Sequence, residues 1–236
     1  MKIKYILLLA GIILSCQGRS PRALQELLLQ FETELLDEFP DYAAAMDMQN
    51  ATDILIIPTK EKLKRNLLFC QKYMKAFEEF APLDDRPDLN EERIEKIEIL
   101  GGMIKRMTGS RSPFNDPGFY NVYPALSWRI SAMKQSADSV SIDLLEKTLM
   151  KIPVYFFHAK KNLEDPTIPS TITAIEIQEK TMDFLRTTTV EQIHSLIETK
   201  DRTRLQGAQE AAQIAVRDYA IFCKSILVEL KKLEQE

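Results

Sequence analysis

The sequence has few glycines, cysteines and histidines. Seven of its 236 residues are glycine, about 3% against a usual content near 7%, which disfavours phosphate-binding loops and turn-rich all-β folds. Three cysteines are too few for the disulfide framework of a small secreted domain. Two histidines exclude the common zinc-hydrolase ligand sets, which need two or three histidines close together. The composition therefore favours a helical protein and gives no catalytic residue, metal or cofactor.

The first fifteen residues have the pattern of an export signal. Lys2 and Lys4 precede an apolar run that ends at Leu14. That run is too short to span a bilayer, which takes about 20 residues. Ser15 and Cys16 follow at once. A small residue followed by cysteine at this place resembles a bacterial lipoprotein signal, which is cleaved before the cysteine.

We therefore predict a signal peptide over residues 1–15 and a lipid-anchored tether over residues 16–21, with Cys16 as the lipidated residue. A diacylglycerol on Cys16 supplies the two acyl chains that stable anchoring needs. Gln17 rather than aspartate follows the cysteine. By resemblance to Gram-negative lipoproteins, this favours the outer membrane, at its periplasmic face or at the cell surface. An ordinary secretory signal or an uncleaved anchor is the alternative.

Cleavage changes the charge of the chain. It removes two of the 31 basic residues and leaves all 35 acidic ones, so the mature net charge is −6. We expect no electrostatic attraction of the body to nucleic acid or anionic lipid, and a membrane contact made by the lipid alone. Cys70 and Cys223 remain in the body. An exported protein permits a disulfide between them, but two separate buried thiols are favoured because nothing in the sequence places them together.

The body, residues 22–236, is predicted to be a single all-α domain. Apolar residues recur at spacings of three and four, which is typical of amphipathic helices. We expect an irregular, elongated bundle of about seven to nine helices that ends in a long C-terminal helix. The predicted helices and helical segments are Arg22–Glu38, Tyr42–Gln49, Thr59–Ala81, Asn90–Met107, Tyr120–Lys134, Ser141–Pro153, Val154–Leu163, Ser170–Thr187, Val190–Thr199 and Asp201–Leu233.

Some local features carry expectations of their own. Ser20 before Pro21 is expected to cap the first helix. Gly101 and Gly102 predict a kink or a close helix crossing. Residues 54–57 form the one stretch that could be a short strand.

Few residues are candidates for chemistry. His158 and His194 have no partner at ligand spacing, and we interpret both as ordinary helix-face residues. Glu91, Glu95 and Glu98 are interpreted as a solvated helix face rather than an acid–base pair.

The stretch from residue 108 to 123 is the strongest candidate for a binding site. Long loops often carry function, and aromatics mixed with Asn and Asp suit contact with a peptide or a sugar. The alternative is a loop that its own aromatics pack onto the bundle. The predicted ligand-binding residues are Phe114, Asn115, Asp116, Phe119, Tyr120, Tyr123 and Trp128.

Several short motifs in order resemble the N-terminal part of a bacterial family. They are Glu38-Phe39-Pro40-Asp41, Pro113-Phe114-Asn115-Asp116-Pro117, Leu149-Met150-Lys151-Ile152-Pro153 and Ala159-Lys160-Lys161-Asn162-Leu163. The family is the uncharacterised one numbered 885 among the domains of unknown function. The resemblance implies an exported helical protein distantly similar to zinc metallopeptidases, whose His-Glu-x-x-His site lies in the C-terminal half. This chain has no His-Glu pair, so no catalytic or metal residue is carried over.

We therefore predict a non-catalytic, lipid-anchored helical protein of the envelope that binds a peptide or an envelope protein. The first alternative is a fragment or subunit of a zinc metallopeptidase whose metal-binding half is on another chain. A second is an envelope tether whose long C-terminal helix pairs with another copy.

Overall fold

The computed structural model describes residues 20–39, 55–135, 138–188 and 197–235. Within these ranges the chain is helical and contains no β-strand. The predicted all-α fold is therefore confirmed. The helices are α1 (Pro21–Glu38), α2 (Lys60–Glu78), α3 (Pro87–Thr108), α4 (Tyr123–Gln135), α5 (Ser139–Asn162), α6 (Ile168–Asp183) and α7 (Thr199–Leu233).

Several predictions concern residues outside the described ranges. They are the signal peptide, Cys16 and Gln17, the helix predicted over Tyr42–Gln49, His194, and most of the segment Val190–Thr199. Within the described ranges, no helix is both long enough and apolar enough to cross a bilayer.

The chain divides into two compact units. The first contains the residues up to Glu38 together with Lys64–Arg106, and the second contains Phe39–Leu63 and Met107–Glu236. Each unit has its own buried side chains. The single domain expected over residues 22–236 stays a prediction.

An aromatic cluster forms the centre of the first unit. Phe31 of α1 packs on Tyr73 and Phe77 of α2, with ring centroids 5.1 and 5.4 Å away. All three side chains are at most 1% exposed. Arg93 of α3 is also buried, and it donates to the carbonyl oxygen of Phe77 (3.1 Å) and to the Asn90 side chain. The buried guanidinium therefore ties α3 to the end of α2.

The second unit is built around α7. This helix is 35 residues long, in agreement with the predicted long C-terminal helix. Its packed neighbours are α5 and α6, and α5 also packs on α4. Buried residues recur along one face of α7 at spacings of three and four, as an amphipathic helix requires; they are Leu205, Ala208, Ala212, Val216, Tyr219 and Cys223.

Two helix starts have side-chain caps, at Ser20, as the sequence predicts, and at Thr59. Ser20 Oγ accepts from the backbone N–H of Ala23 at 3.2 Å, and α1 begins at Pro21. Thr59 Oγ1 accepts from the N–H of Lys62 at 3.1 Å, just before α2. Each hydroxyl satisfies one of the amides that a helix N-terminus leaves without an intrahelical acceptor.

The predicted break at Pro153 is wrong. Residues 139–162 form one helix with Pro153 inside it. Leu149, Ile152 and Phe156 keep the helical spacing across the proline and are at most 2% exposed. Burial of these three side chains offsets the cost of an interior proline, which is about 3 kcal/mol.

Three other predicted starts are displaced. Helix α3 begins at Pro87 rather than Asn90, because proline fits the first turn, where its missing N–H is not needed. Helix α4 begins at Tyr123, and Tyr120 precedes it. Helix α6 is capped by Thr167, while Ser170 is the third helical residue and completes a capping box.

Two further local predictions are also corrected. A Cβ added at Gly101 or Gly102 would meet no atom within 4 Å, so no described residue crosses closely there, while the kink stays a prediction. Leu55, Ile56 and Ile57 do not form a strand. Leu55 packs in the core of the second unit, so this apolar run is buried by helices rather than paired with another strand.

Cys70 and Cys223 are free and buried thiols, as the sequence favours. Burial, with a smaller contribution from Glu38, raises the pKa of Cys70 to about 12. Burial likewise raises the pKa of Cys223 to about 12.

We predict that neither thiol reacts in the native chain. At pH 8 a thiol of pKa near 12 is about one part in ten thousand thiolate, and only the thiolate attacks disulfide reagents. The test is titration of the mature chain carrying Cys16→Ser with a chromogenic disulfide. We expect both thiols to react once denaturant is added and neither to react before that. Rapid labelling of the folded chain would contradict the burial.

Candidate functional site

A loop of the second unit, residues 109–122, separates α3 from α4 and contains most of the predicted binding residues. Its centre is a short 3₁₀ turn, Pro117–Phe119, which is capped by Asp116. Asp116 Oδ1 accepts from the N–H of Gly118 at 2.7 Å. A Cβ on Gly118 would lie 3.0 Å from that same oxygen, so the turn favours glycine at this position.

Side chains of the helices donate to carbonyl oxygens of this loop. Tyr219 Oη of α7 donates to the Pro117 oxygen at 3.1 Å, and Gln178 Nε2 of α6 donates to the Tyr120 oxygen at 2.9 Å. Within the loop, Tyr120 Oη donates to the Pro113 oxygen at 2.6 Å. Buried backbone carbonyls need such partners, since an unsatisfied one costs about 1–3 kcal/mol.

The turn between α5 and α6, together with the start of α6, binds the N-terminal half of the loop. The backbone N–H groups of Glu164 and Asp165 donate to the Phe114 oxygen, at 2.8 and 3.3 Å. Ser170 Oγ of α6 donates to the Asn115 oxygen at 3.5 Å. Phe114 and Asn115 are therefore fixed by their backbones.

Aromatic rings pack the loop into the core. The Tyr120 ring meets Tyr155 and Tyr219 edge to face, with centroids 6.0 and 6.2 Å away. Phe156 stacks on Tyr219 at 4.5 Å. Burial raises the pKa of both Tyr120 and Tyr219 above the usual tyrosine range, so both hydroxyls remain protonated donors.

The structure separates the predicted binding residues by exposure. Tyr120 is fully buried, whereas Tyr123 is 41% exposed. Phe119 is half-buried and packs against the core. Trp128 is half-buried on α4, and the Arg129 guanidinium lies 4.9 Å from its ring centroid. The loop is thus packed by its own aromatics, and the binding role of the seven residues stays a prediction.

A groove opens where the loop meets α6. It has a volume of about 530 Å³, within the usual range for small-ligand sites. Of the predicted residues, Tyr123 lines it. The lining residues are Asn121, Tyr123, Ile177, Lys180, Asp183, Phe184 and Thr187.

An aromatic pair forms the apolar wall of the groove. The rings of Tyr123 and Phe184 meet edge to face with centroids 4.9 Å apart, the arrangement that the charge distribution of aromatic rings favours. Asn121 Oδ1 accepts from the N–H of Tyr123 at 3.0 Å. This bond fixes the start of α4 beside the groove.

A π-helical turn, Phe184–Thr188, continues α6 and places Phe184 on that wall. The carbonyl oxygen of Leu185 accepts from Gln209 Nε2 (2.7 Å) and Gln213 Nε2 (3.2 Å), both on α7. Single π turns inside helices are frequent at functional sites. The sequence does not reveal this turn, because its residues fit an ordinary helix equally well and the deciding donors lie on another helix.

The rim of the groove carries one charge of each sign. Lys180 and Asp183 lie one turn apart on α6, and both are exposed. Thr187 Oγ1 donates to the backbone oxygen of Asp183 at 2.7 Å. The groove therefore offers an apolar wall with a cation and a carboxylate beside it.

The remaining candidates are not assembled into a site. His158 is half-buried, with its ring 5.4 Å from that of Phe157. Glu91, Glu95 and Glu98 are exposed on α3. Within the described ranges, no group of three or more His, Cys, Asp or Glu side chains is placed to hold a metal ion.

The comparisons with known proteins give one likeness. No family model matches the chain, and no curated protein matches it. A solved structure from Shewanella oneidensis, described as "a putative lipoprotein of unknown function", has the same fold, with a TM-score of 0.72 and 16% sequence identity. At that identity the likeness shows the fold alone.

The matched region covers 89% of this chain and 38% of the other, so the chain spans well under half of that protein's length. The resemblance to the family numbered 885 has no support from a family model.

We predict that Tyr120→Phe lowers the free energy of unfolding by about 1–3 kcal/mol, because the buried Pro113 oxygen loses its donor. Tyr123→Phe is the matched control. It removes the same hydroxyl from a residue that is 41% exposed, and we expect a change within about 0.5 kcal/mol. Urea denaturation followed by circular dichroism measures both, and equal effects would contradict the assignment.

Proposed function

We propose that this chain is a non-catalytic, lipid-anchored protein of the bacterial cell envelope that binds a peptide or a protein segment in the groove. The observation that carries the binding role is the groove itself, an aromatic pair beside Lys180 and Asp183. The lipoprotein-like sequence around Cys16 supports the anchor. A fold neighbour described as a lipoprotein supports it further.

The chemistry of the groove suits a peptide. Tyr123 and Phe184 can take an apolar side chain between them and Ile177. Lys180 can pair with a carboxylate of the ligand, and Asp183 with an ammonium group. Asn121 uses its side-chain oxygen for the Tyr123 amide, which leaves its NH₂ group to donate to a peptide carbonyl.

The lining residues favour binding over catalysis. They include no histidine or cysteine, and the hydroxyl of Thr187 donates to a backbone oxygen of its own turn. Nucleophilic catalysis needs a base within hydrogen-bond reach of the nucleophile. We infer that the groove holds its ligand without changing it.

The proposed anchor is tested by lipid labelling in the bacterium. We expect the chain to incorporate labelled fatty acid and to fractionate with membranes. Cys16→Ser should lose the label and release the protein to the soluble periplasmic fraction, because the thioether that carries the diacylglycerol cannot form.

Gln17→Asp is the control for location. We expect it to keep the lipid and to shift the protein from the outer to the inner membrane. A wild-type chain that carries no label would refute the anchor and leave the groove proposal intact.

The groove is tested with the mature Cys16→Ser chain on an array of peptides from abundant envelope proteins. We expect Tyr123→Ala and Lys180→Ala each to weaken capture about tenfold, the effect of losing about 1.4 kcal/mol of binding free energy. Ile172→Ala is the matched control, since Ile172 is 40% exposed on the same helix and does not line the groove.

Two results would overturn this proposal. One is capture that neither groove substitution weakens. The other is hydrolysis of the arrayed peptides that a metal chelator abolishes, which would favour the metallopeptidase alternative.

A further inference from the structure

Helix α5 exposes a stripe of large apolar side chains. Met150, Val154 and Phe157 are 58%, 48% and 53% exposed. Their spacings of four and three place them on one helix face, opposite Leu149, Ile152 and Phe156 in the core. A contiguous exposed apolar patch is unusual unless something covers it.

Helix α7 exposes a second stripe. Ile214, Ile221 and Val228 are 50%, 57% and 54% exposed. They are seven residues apart, which is two helical turns, so they also lie along one line. Both stripes face away from the core of the second unit.

The two stripes lie on neighbouring helices. Lys160 Nζ of α5 is 5.6 Å from the ring centroid of Phe222 of α7. Near the start of α7, Arg204 bonds to Asp143 (2.6 Å) and Glu146 (3.1 Å) of α5. These contacts join α5 to α7. The α7 stripe lies among the exposed acids Glu210, Asp218 and Glu229, so the stripe that is both apolar and basic is that of α5.

Lysines lie along the α5 stripe, and the acid one turn before Met150, Glu146, is paired with Arg204. From Lys147 to Leu163 the chain has four lysines and no aspartate or glutamate. Lys147 and Lys161 are exposed, and Lys161 Nζ lies 4.3 Å from the ring centroid of exposed Phe157. An ammonium group above an exposed aromatic ring, beside further apolar side chains, is typical of a surface that meets lipid head groups.

We propose that the exposed face of α5, which carries Met150, Val154 and Phe157 with Lys147 and Lys161, rests on an anionic phospholipid surface. The lysines complement the phosphate groups, and Met150, Val154 and Phe157 enter the boundary below them. An acidic partner helix would meet the same chemistry. Lipid is favoured by the chemistry of the stripe, since the Lys161 ammonium lies over the exposed Phe157 ring beside further apolar side chains, as at the boundary between head groups and acyl chains. In the cell, the nearness of this face to a membrane rests on the proposed lipid anchor, but its contact with phospholipid does not.

The test uses the mature Cys16→Ser chain, which has no lipid of its own. We expect it to sediment with vesicles of phosphatidylethanolamine and phosphatidylglycerol, and not with vesicles of phosphatidylcholine alone. Binding should fall as the salt concentration rises, because salt screens exposed charges.

Two pairs of substitutions separate the charge from the apolar contact. Lys147→Gln with Lys161→Gln should weaken vesicle binding about 25-fold, at about fivefold for each lysine. Met150→Ser with Phe157→Ser should weaken it at least about tenfold, because the inserted apolar area is lost.

A matched triple substitution on α2 serves as the control. Lys64→Gln, Lys75→Gln and Leu68→Ser remove the same kinds of exposed side chain from another helix, where Leu68 is 64% exposed. We expect this variant to bind vesicles like the parent chain.

Three outcomes would overturn the proposal. The first is no binding to anionic vesicles, and the second is equal loss in the α2 control. The third is a dimer in sedimentation, without vesicle binding, that the α5 substitutions dissociate, since that would show that a second copy covers the face. None of these outcomes bears on labelling at Cys16 or on capture in the groove.

Discussion

The second unit depends on how the carbonyl oxygens of a buried loop are satisfied. Helices satisfy their own backbone groups, but residues 109–122 lie outside regular helices apart from one 3₁₀ turn. Tyr219 and Gln178 reach from α7 and α6 to the Pro117 and Tyr120 oxygens. Each of these hydrogen bonds forms only when its helix lies at one position relative to the loop. The loop therefore sets the alignment of the helices as much as the helices hold the loop.

The groove is a consequence of that alignment. Gln178 ties α6 to Tyr120, and the next loop residue, Asn121, is in the groove wall. About two turns further along the chain, Gln209 and Gln213 of α7 donate to the oxygen of Leu185 inside the π turn. The wall residue Phe184 thus lies between two tethered points of the backbone. A ligand there meets a surface already ordered, which lowers the entropy cost of binding.

The sequence predicts the parts of this fold that local physics decides. The cap at Ser20 and the buried face of α7 follow from side-chain chemistry within a few residues. The continuity of α5 through Pro153 could not be predicted, because burial of Leu149, Ile152 and Phe156 decides it. The groove could not be predicted from the sequence for the same reason. Tyr120 and Tyr123 belong to one aromatic stretch. Contacts with distant helices bury Tyr120, whereas Tyr123 stays 41% exposed.

The net charge of the whole chain is a poor guide to the charge of one surface. A mature charge of −6 argues against attraction to anionic lipid, yet a run of residues in α5 contains lysines and no acid. Electrostatic attraction acts over roughly a Debye length, about 8–10 Å at physiological salt, so the local run matters more than the sum. The groove is lined from the loop, α6 and the π turn, whereas the apolar and basic face belongs to α5. The two proposed surfaces share no residue, so a membrane contact at one of them would not use the residues that line the other.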